Sequence, residues 1–128
     1  MLVVKRVIVS DPEHAYEFIK PLDALLVPRR FVDSVFHVKH AFHQTQLAFK
    51  RGVNIAKEFK YEFLLRLMGE TQLSQAMKAR DSECVFVSWK PGIYPEFRKR
   101  FVKKELPLRK EPKDMGVIQR TALLHLLR

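Results

Sequence analysis

The alternation of apolar and polar residues divides the chain into short, distinct elements. Positions 2–9, LVVKRVIV, have the β-branched density of a strand. SDPEHAYEFIK follows as a helix, with Ser10 and Glu13 at capping-box spacing and Pro12 in the first turn, where its missing N–H costs nothing. ALLV ahead of Pro28 and SVFHV at 34–38 read as two further strands, joined by a loop containing Pro28, Arg29 and Arg30. From about Lys39 the period changes. Ala41, Phe42, Thr45, Ala48 and Phe49 recur at three- and four-residue intervals, which predicts a helix facing the sheet, and Gly52 suits a left-handed C-terminal cap.

Positions 59–80 predict two consecutive helices. Phe59, Phe63, Leu64, Leu67 and Met68 form one apolar stripe ending at Gly69. Thr71 is placed to cap the second helix, whose buried face is Leu73, Ala76 and Met77. CVFVSW at 84–89 is a strand, PGIYPEF a loop, and FVKKEL allows an edge strand. Met115, Ile118, Ala122, Leu123 and Leu126 mark a C-terminal helix with Asp114 near its start. The whole predicts a mixed α/β class: one domain over residues 1–128, with a small mixed sheet of roughly three to five strands packed with about four or five helices.

Charge changes this picture most. The formal net charge is +10, and it is unevenly placed: 13 basic residues stand against 7 acidic ones over 57–110, compared with 8 against 5 over 1–56. A balance of that size concentrates polyanions near the surface, so nucleic acid or an acidic protein is the expected partner. No apolar stretch approaches the roughly 18 residues of a membrane span, which leads to the expectation of a soluble, cytoplasmic protein with no membrane partner. The single cysteine, Cys84, can form no internal disulfide and sits in an apolar strand, where a thiol is normally inert.

Catalytic and cofactor chemistry find no foothold. His37, His40 and His43 are spaced by three, but no cysteine cluster, HExxH arrangement or paired acids complete a metal site. None of the four glycines belongs to a GxGxxG or GxxxxGKS phosphate cradle. The expectation is therefore a protein that is not an enzyme, with no metal, no cofactor and no small-molecule substrate.

FHVKHAFHQTQLAFKRGVNIAKEFKYEFLLRLMGETQLSQAMK resembles the core pattern of the small non-kinase subunit of the KEOPS complex, the family that includes the human binding partner of the p53-related kinase. In that pattern His40 and Ala41 open a helix and Gly52 and Asn54 form a glycine-asparagine step. Glu62 then leads an apolar helix into Gly69, Gln72 and Leu73. The C-terminal TALLHLL is also similar to the family's last helix. The chain departs from the pattern before the next strand, where Arg80, Asp81, Ser82 and Glu83 stand in place of a usual glycine.

The resemblance implies a non-catalytic accessory subunit, archaeal in type. It would bind the atypical kinase-like subunit and help hold tRNA by its single-stranded 3′ CCA end, in a complex that installs threonylcarbamoyladenosine. Lys57, Lys60, Arg66, Gln72, Lys78 and Arg80 are the candidate tRNA-binding residues, because single-stranded RNA is held by base-stacking surfaces flanked by cations. Met115, Val117, Ile118, Thr121, Leu124 and Leu127 are the candidate kinase-subunit interface, since apolar residues on more than one side of a helix need cover from more than one direction. The alternative is a stand-alone basic RNA-binding protein with no kinase partner, using the run from Arg98 to Lys110.

Overall fold

The chain begins with β1 (Val3–Val9), α1 (Pro12–Ile19) and β2 (Ala24–Pro28), followed by a 3-10 turn at Arg29–Phe31. Three helices come next, α2 (Val35–Arg51), α3 (Phe59–Met68) and α4 (Glu70–Lys78), and then β3 (Glu83–Ser88), α5 (Ile93–Phe101) and β4 (Val102–Leu106). The computed structural model describes residues 2–111, and at Glu70 and Thr71 the backbone alone. The C-terminal helix expected from Asp114 onward lies outside the described residues.

The four strands are ordered β2-β3-β1-β4, and the mixed α/β class is as expected, although every ladder is antiparallel rather than mixed. Strand alternation sends successive side chains to opposite faces, so β3 supplies two cores at once. Val85 and Val87 pack with Val38, Phe63 and Leu67 under α2 and α3, while Cys84 and Phe86 pack with Ala15, Ile19 and Phe97 under α1 and α5. A strand buried on both faces reads as the unbroken apolar run CVFV.

Several expectations are corrected. SVFHV is not a strand. Ser34 accepts a hydrogen bond from the His37 N–H and opens α2 four residues before Lys39, so the cap outweighs the strand preference of two valines and a phenylalanine. PGIYPEF is not wholly a loop either: α5 starts at Ile93, and Pro95 is tolerated because N–H groups in a first turn lack helical partners anyway. Asp11, not Ser10, caps α1, accepting from the His14 N–H, while the Ser10 hydroxyl donates to the Phe101 carbonyl. Thr71 lies inside α4, which is separated from α3 by Gly69 alone. Gly69, at φ 77°, makes that corner, a conformation that side-chain-bearing residues rarely adopt. Gly52 caps α2 at φ 70° as expected. The turn at 80–83, where the resemblance fails, needs no glycine, since no non-glycine residue among those described has positive φ.

Inside the α2–α3 layer sits a buried charge. Glu62 and Arg66 pair at 2.9 Å with both side chains fully buried, one turn apart on α3. The second carboxylate oxygen accepts from the N–H groups of Ile55 and Ala56, at 2.8 and 2.6 Å, and so fixes the irregular link between α2 and α3. Removing one member of a buried pair leaves the other uncompensated. Glu62→Ala is therefore expected to lower stability by about 3–5 kcal/mol in urea-induced unfolding; a change under about 1 kcal/mol would show that the pair does not organise this layer.

Candidate functional site

Two clefts flank the α3–α4 hairpin. The first, about 190 Å³, opens between the 3-10 turn, the start of α2 and the α3–α4 corner, with Arg29, His37, Arg66 and Gln72 in its lining. His37 is buried. Its Nδ1 accepts from the Asp33 N–H at 3.1 Å and its Nε2 lies 2.9 Å from the Leu67 carbonyl, an arrangement that places the proton on Nε2. This histidine ties α2 to the end of α3, and among the described residues no group of three or more His, Cys, Asp or Glu side chains could hold a metal.

The second cleft, about 110 Å³, follows from the sheet order. Among the described residues β2 is an edge strand, and no further strand closes the space beside Leu25, Leu26 and Val27. α1 covers one face of β2 and the α3–α4 hairpin the other, and the gap between them is walled by Tyr61, Leu64, Ala76 and Met77. Tyr61 and Met77 stand 38% and 48% exposed, two of the few large apolar side chains that face solvent among the described residues. Lys20 and Arg80 lie at its rim. The Arg80 guanidinium rests 5.0 Å from the centroid of the Tyr16 ring and donates to the carbonyl of Met77, which holds its plane in place.

Lys60 closes one end of this cleft. Its ammonium donates to the carbonyls of Ile19, Lys20 and Leu22, each at 2.9 Å, and so ties the end of α1 and the turn that follows it to α3. Burial pushes its pKa down to about 8, against the pull of Asp23 and Glu58. At neutral pH it therefore stays the charged triple donor that the carbonyls require. Nearby, burial pushes the Cys84 thiol up to about 12, in keeping with an inert cysteine.

The six candidate RNA-binding residues do not converge. Arg66 was expected on the outer side of α3 and is instead fully buried against Glu62, lining the first cleft with Gln72. Lys60 and Arg80 belong to the second cleft, but Lys60 is committed to α1. Lys57 and Lys78 are exposed and line neither. Met77, expected in the core, faces solvent, and Tyr61 was overlooked, although its position off the Phe59–Phe63–Leu67 stripe was the available signal. The six candidate kinase-interface residues, Met115 to Leu127, lie outside the described residues.

No protein-family model matches the chain, and no curated protein matches it. No helix among the described residues is long and apolar enough to cross a membrane.

Lys60→Met is expected to cost about 1.5–3 kcal/mol of stability, the range for hydrogen bonds made by a charged group, as read by chemical denaturation. A loss of RNA binding in a Lys60 variant would therefore report on the placement of α1 as much as on a phosphate contact. A fully stable variant would instead free Lys60 for a role at the surface.

Proposed function

We propose that this chain is the small non-kinase subunit of a KEOPS complex, a cytoplasmic, non-catalytic protein that binds the atypical kinase-like subunit and helps recruit tRNA by its single-stranded 3′ CCA end. The observation that carries the RNA half of this reading is the cleft at the free edge of β2, where exposed Tyr61 and Met77 meet the rim cations Lys20 and Arg80. Unpaired bases are held by stacking on aromatic, apolar or guanidinium surfaces while nearby cations meet their phosphates. Arg80 offers a flat cationic surface already oriented by Tyr16, which lowers the entropy lost on binding.

The resemblance over residues 36–78 supports the family half of the reading, and its residues have structural reasons to be where they are. Glu62 fixes the α2–α3 link, Gly52 ends α2, Gly69 turns α3 into α4, and Gln72 lines the first cleft. They specify the hairpin that walls both clefts. Binding to the kinase-like subunit is assigned to Met115, Val117, Ile118, Thr121, Leu124 and Leu127.

Two measurements test this. In a titration of tRNA with and without its terminal CCA, the intact RNA is expected to bind more tightly by roughly 1–3 kcal/mol for each stacked base, and a Tyr61→Ala, Met77→Ala double variant is expected to lose that preference. Equal affinity of the wild type for both RNAs would reject the 3′-end reading. In a co-purification with the kinase-like subunit, wild type is expected to be retained and Ile118→Glu to be lost while remaining folded, because a charge in a desolvated interface costs several kcal/mol. Failure of the wild-type chain to bind that subunit would reject the family assignment.

A further inference from the structure

The other edge of the sheet carries a surface of a different kind. β4 closes the end opposite the cleft, and with strands about 4.8 Å apart roughly 14 Å of sheet separates the two edges. α5 runs directly into β4, so Arg98, Lys99, Arg100, Lys103 and Lys104 gather at this edge with the acids Glu96 and Glu105, while Arg109 and Lys110 run on to the start of α2, where their carbonyls accept from the N–H groups of Val35 and Phe36. The register shows how the charge is spread. Glu105 lies opposite Val7 and Lys104 opposite Ile8, so these neighbours face opposite sides of the sheet, and Lys103 fills the bulge where the ladder shifts.

The acids here are already engaged. Glu105 accepts from the Tyr94 hydroxyl and has Arg98 within 3.9 Å, and Glu96 pairs with Arg100 at 2.9 Å. Lys99, Lys103 and Lys104 are exposed, with no acidic partner among the described residues. Lysines on an edge strand guard against pairing with another sheet, and that alone accounts for Lys103 and Lys104. On α5, Arg98 and Arg100 have Glu105 and Glu96 beside them and the last turn of a helix favours cations, which leaves Lys99 as the exposed charge without an acidic partner there.

What the face lacks decides its partner. The large apolar side chains exposed among the described residues are Phe36, Val53, Ile55, Tyr61 and Met77, and none belongs to α5 or β4. Phe97 is fully buried and Phe101 half-buried beneath the cations. Among the described residues no large apolar side chain is exposed there to anchor the centre of a protein interface or enter a bilayer, and the guanidiniums that could stack a base, Arg98 and Arg100, are turned to Glu105 and Glu96. The phosphates of a double helix ask only for cations.

We propose that the exposed α5–β4 edge, through Lys99 on the α5 side of the sheet, Lys103 at the bulge and Lys104 on the opposite side, binds the phosphate backbone of double-helical RNA at a site separate from the cleft. The choice of RNA rests on the reading of that cleft; the phosphate contact does not. The probe is a blunt-ended RNA stem-loop, titrated against the full chain at two salt concentrations. The Lys99→Ala, Lys103→Ala, Lys104→Ala triple variant should bind it roughly tenfold or more weakly, with the log–log salt slope reduced by about 0.9 for each phosphate that is no longer neutralised.

Two controls separate the face from the net charge and from the cleft. Lys39→Ala, Lys50→Ala, Arg51→Ala removes the same charge from exposed positions of α2 and should change stem-loop affinity by no more than about twofold. Tyr61→Ala should leave stem-loop binding intact while weakening capture of a single-stranded CCA oligonucleotide. No stem-loop binding by the wild type, unchanged binding by the α5–β4 variant, or an equal loss in the α2 variant would each overturn the proposal. Failure of the cleft reading alone would leave stem-loop binding in place and abolish only the preference for an unpaired 3′ end.

Discussion

Glu62 gives up its hydration completely, and the α2–α3 layer is arranged to replace it. A carboxylate that leaves water loses several kcal/mol, recovered only when its lone pairs meet donors in good geometry. Here one oxygen takes the Arg66 guanidinium and the other takes two backbone N–H groups of the α2–α3 link. The charge therefore determines where a segment without repeating structure must run. Once that link is fixed, α3 lies against α2, His37 reaches the Leu67 carbonyl, and the outward side of α3 presents Tyr61 to the edge of β2. A hydrophobic replacement could fill the same volume, but it would carry no instruction about the backbone of Ile55 and Ala56.

Periodicity exposed most of the fold. The α3–α4 pair is legible because its apolar residues repeat with the helical period, β1 from its β-branched density, and β2 and β3 because they are short unbroken apolar runs bounded by turn residues. The failures share a cause. SVFHV and PGIYPEF carry residues whose local preferences oppose the element they join, and a single cap or first-turn position decides the outcome. At α2 the decision rests on the Ser34 cap and at α5 on a left-handed Gly92 with Pro95 in the first turn, single positions that a pattern over ten residues cannot weigh.

The site was less legible than the fold, for a physical reason. Sequence spacing assigns a charged residue to the polar side of a helix, yet Arg66 and Lys60 are drawn inward by partners that are distant or that carry no sequence signature. Arg66 answers a carboxylate one turn away, which was visible in principle as an i, i+4 pair. Lys60 answers three backbone carbonyls some forty positions earlier, and main-chain acceptors are identical at every residue. Met77 and Tyr61 show the converse. They are apolar residues left outside because the edge of β2 offers them a cleft rather than a core.

The two edges of the sheet resolve the problem of an unpaired strand in different ways, and the difference accounts for the placement of charge. At β2, helices on both faces reach past the strand and enclose its free side, so the edge can remain apolar: Ala24 to Pro28 are all buried. At β4 no element among the described residues encloses the strand, and Lys103, Lys104 and Glu105 are exposed. An uncovered edge must repel other strands, and charge is the least costly way to do so. Concentrating cations on α5 as well goes further than repulsion requires and adds self-repulsion that Glu96, Glu105 and the ring of Phe18 only partly offset. A polyanion would relieve that residual strain. The fold thus keeps an apolar recess rimmed by Lys20 and Arg80 at one edge and an excess of cations over acids at the other.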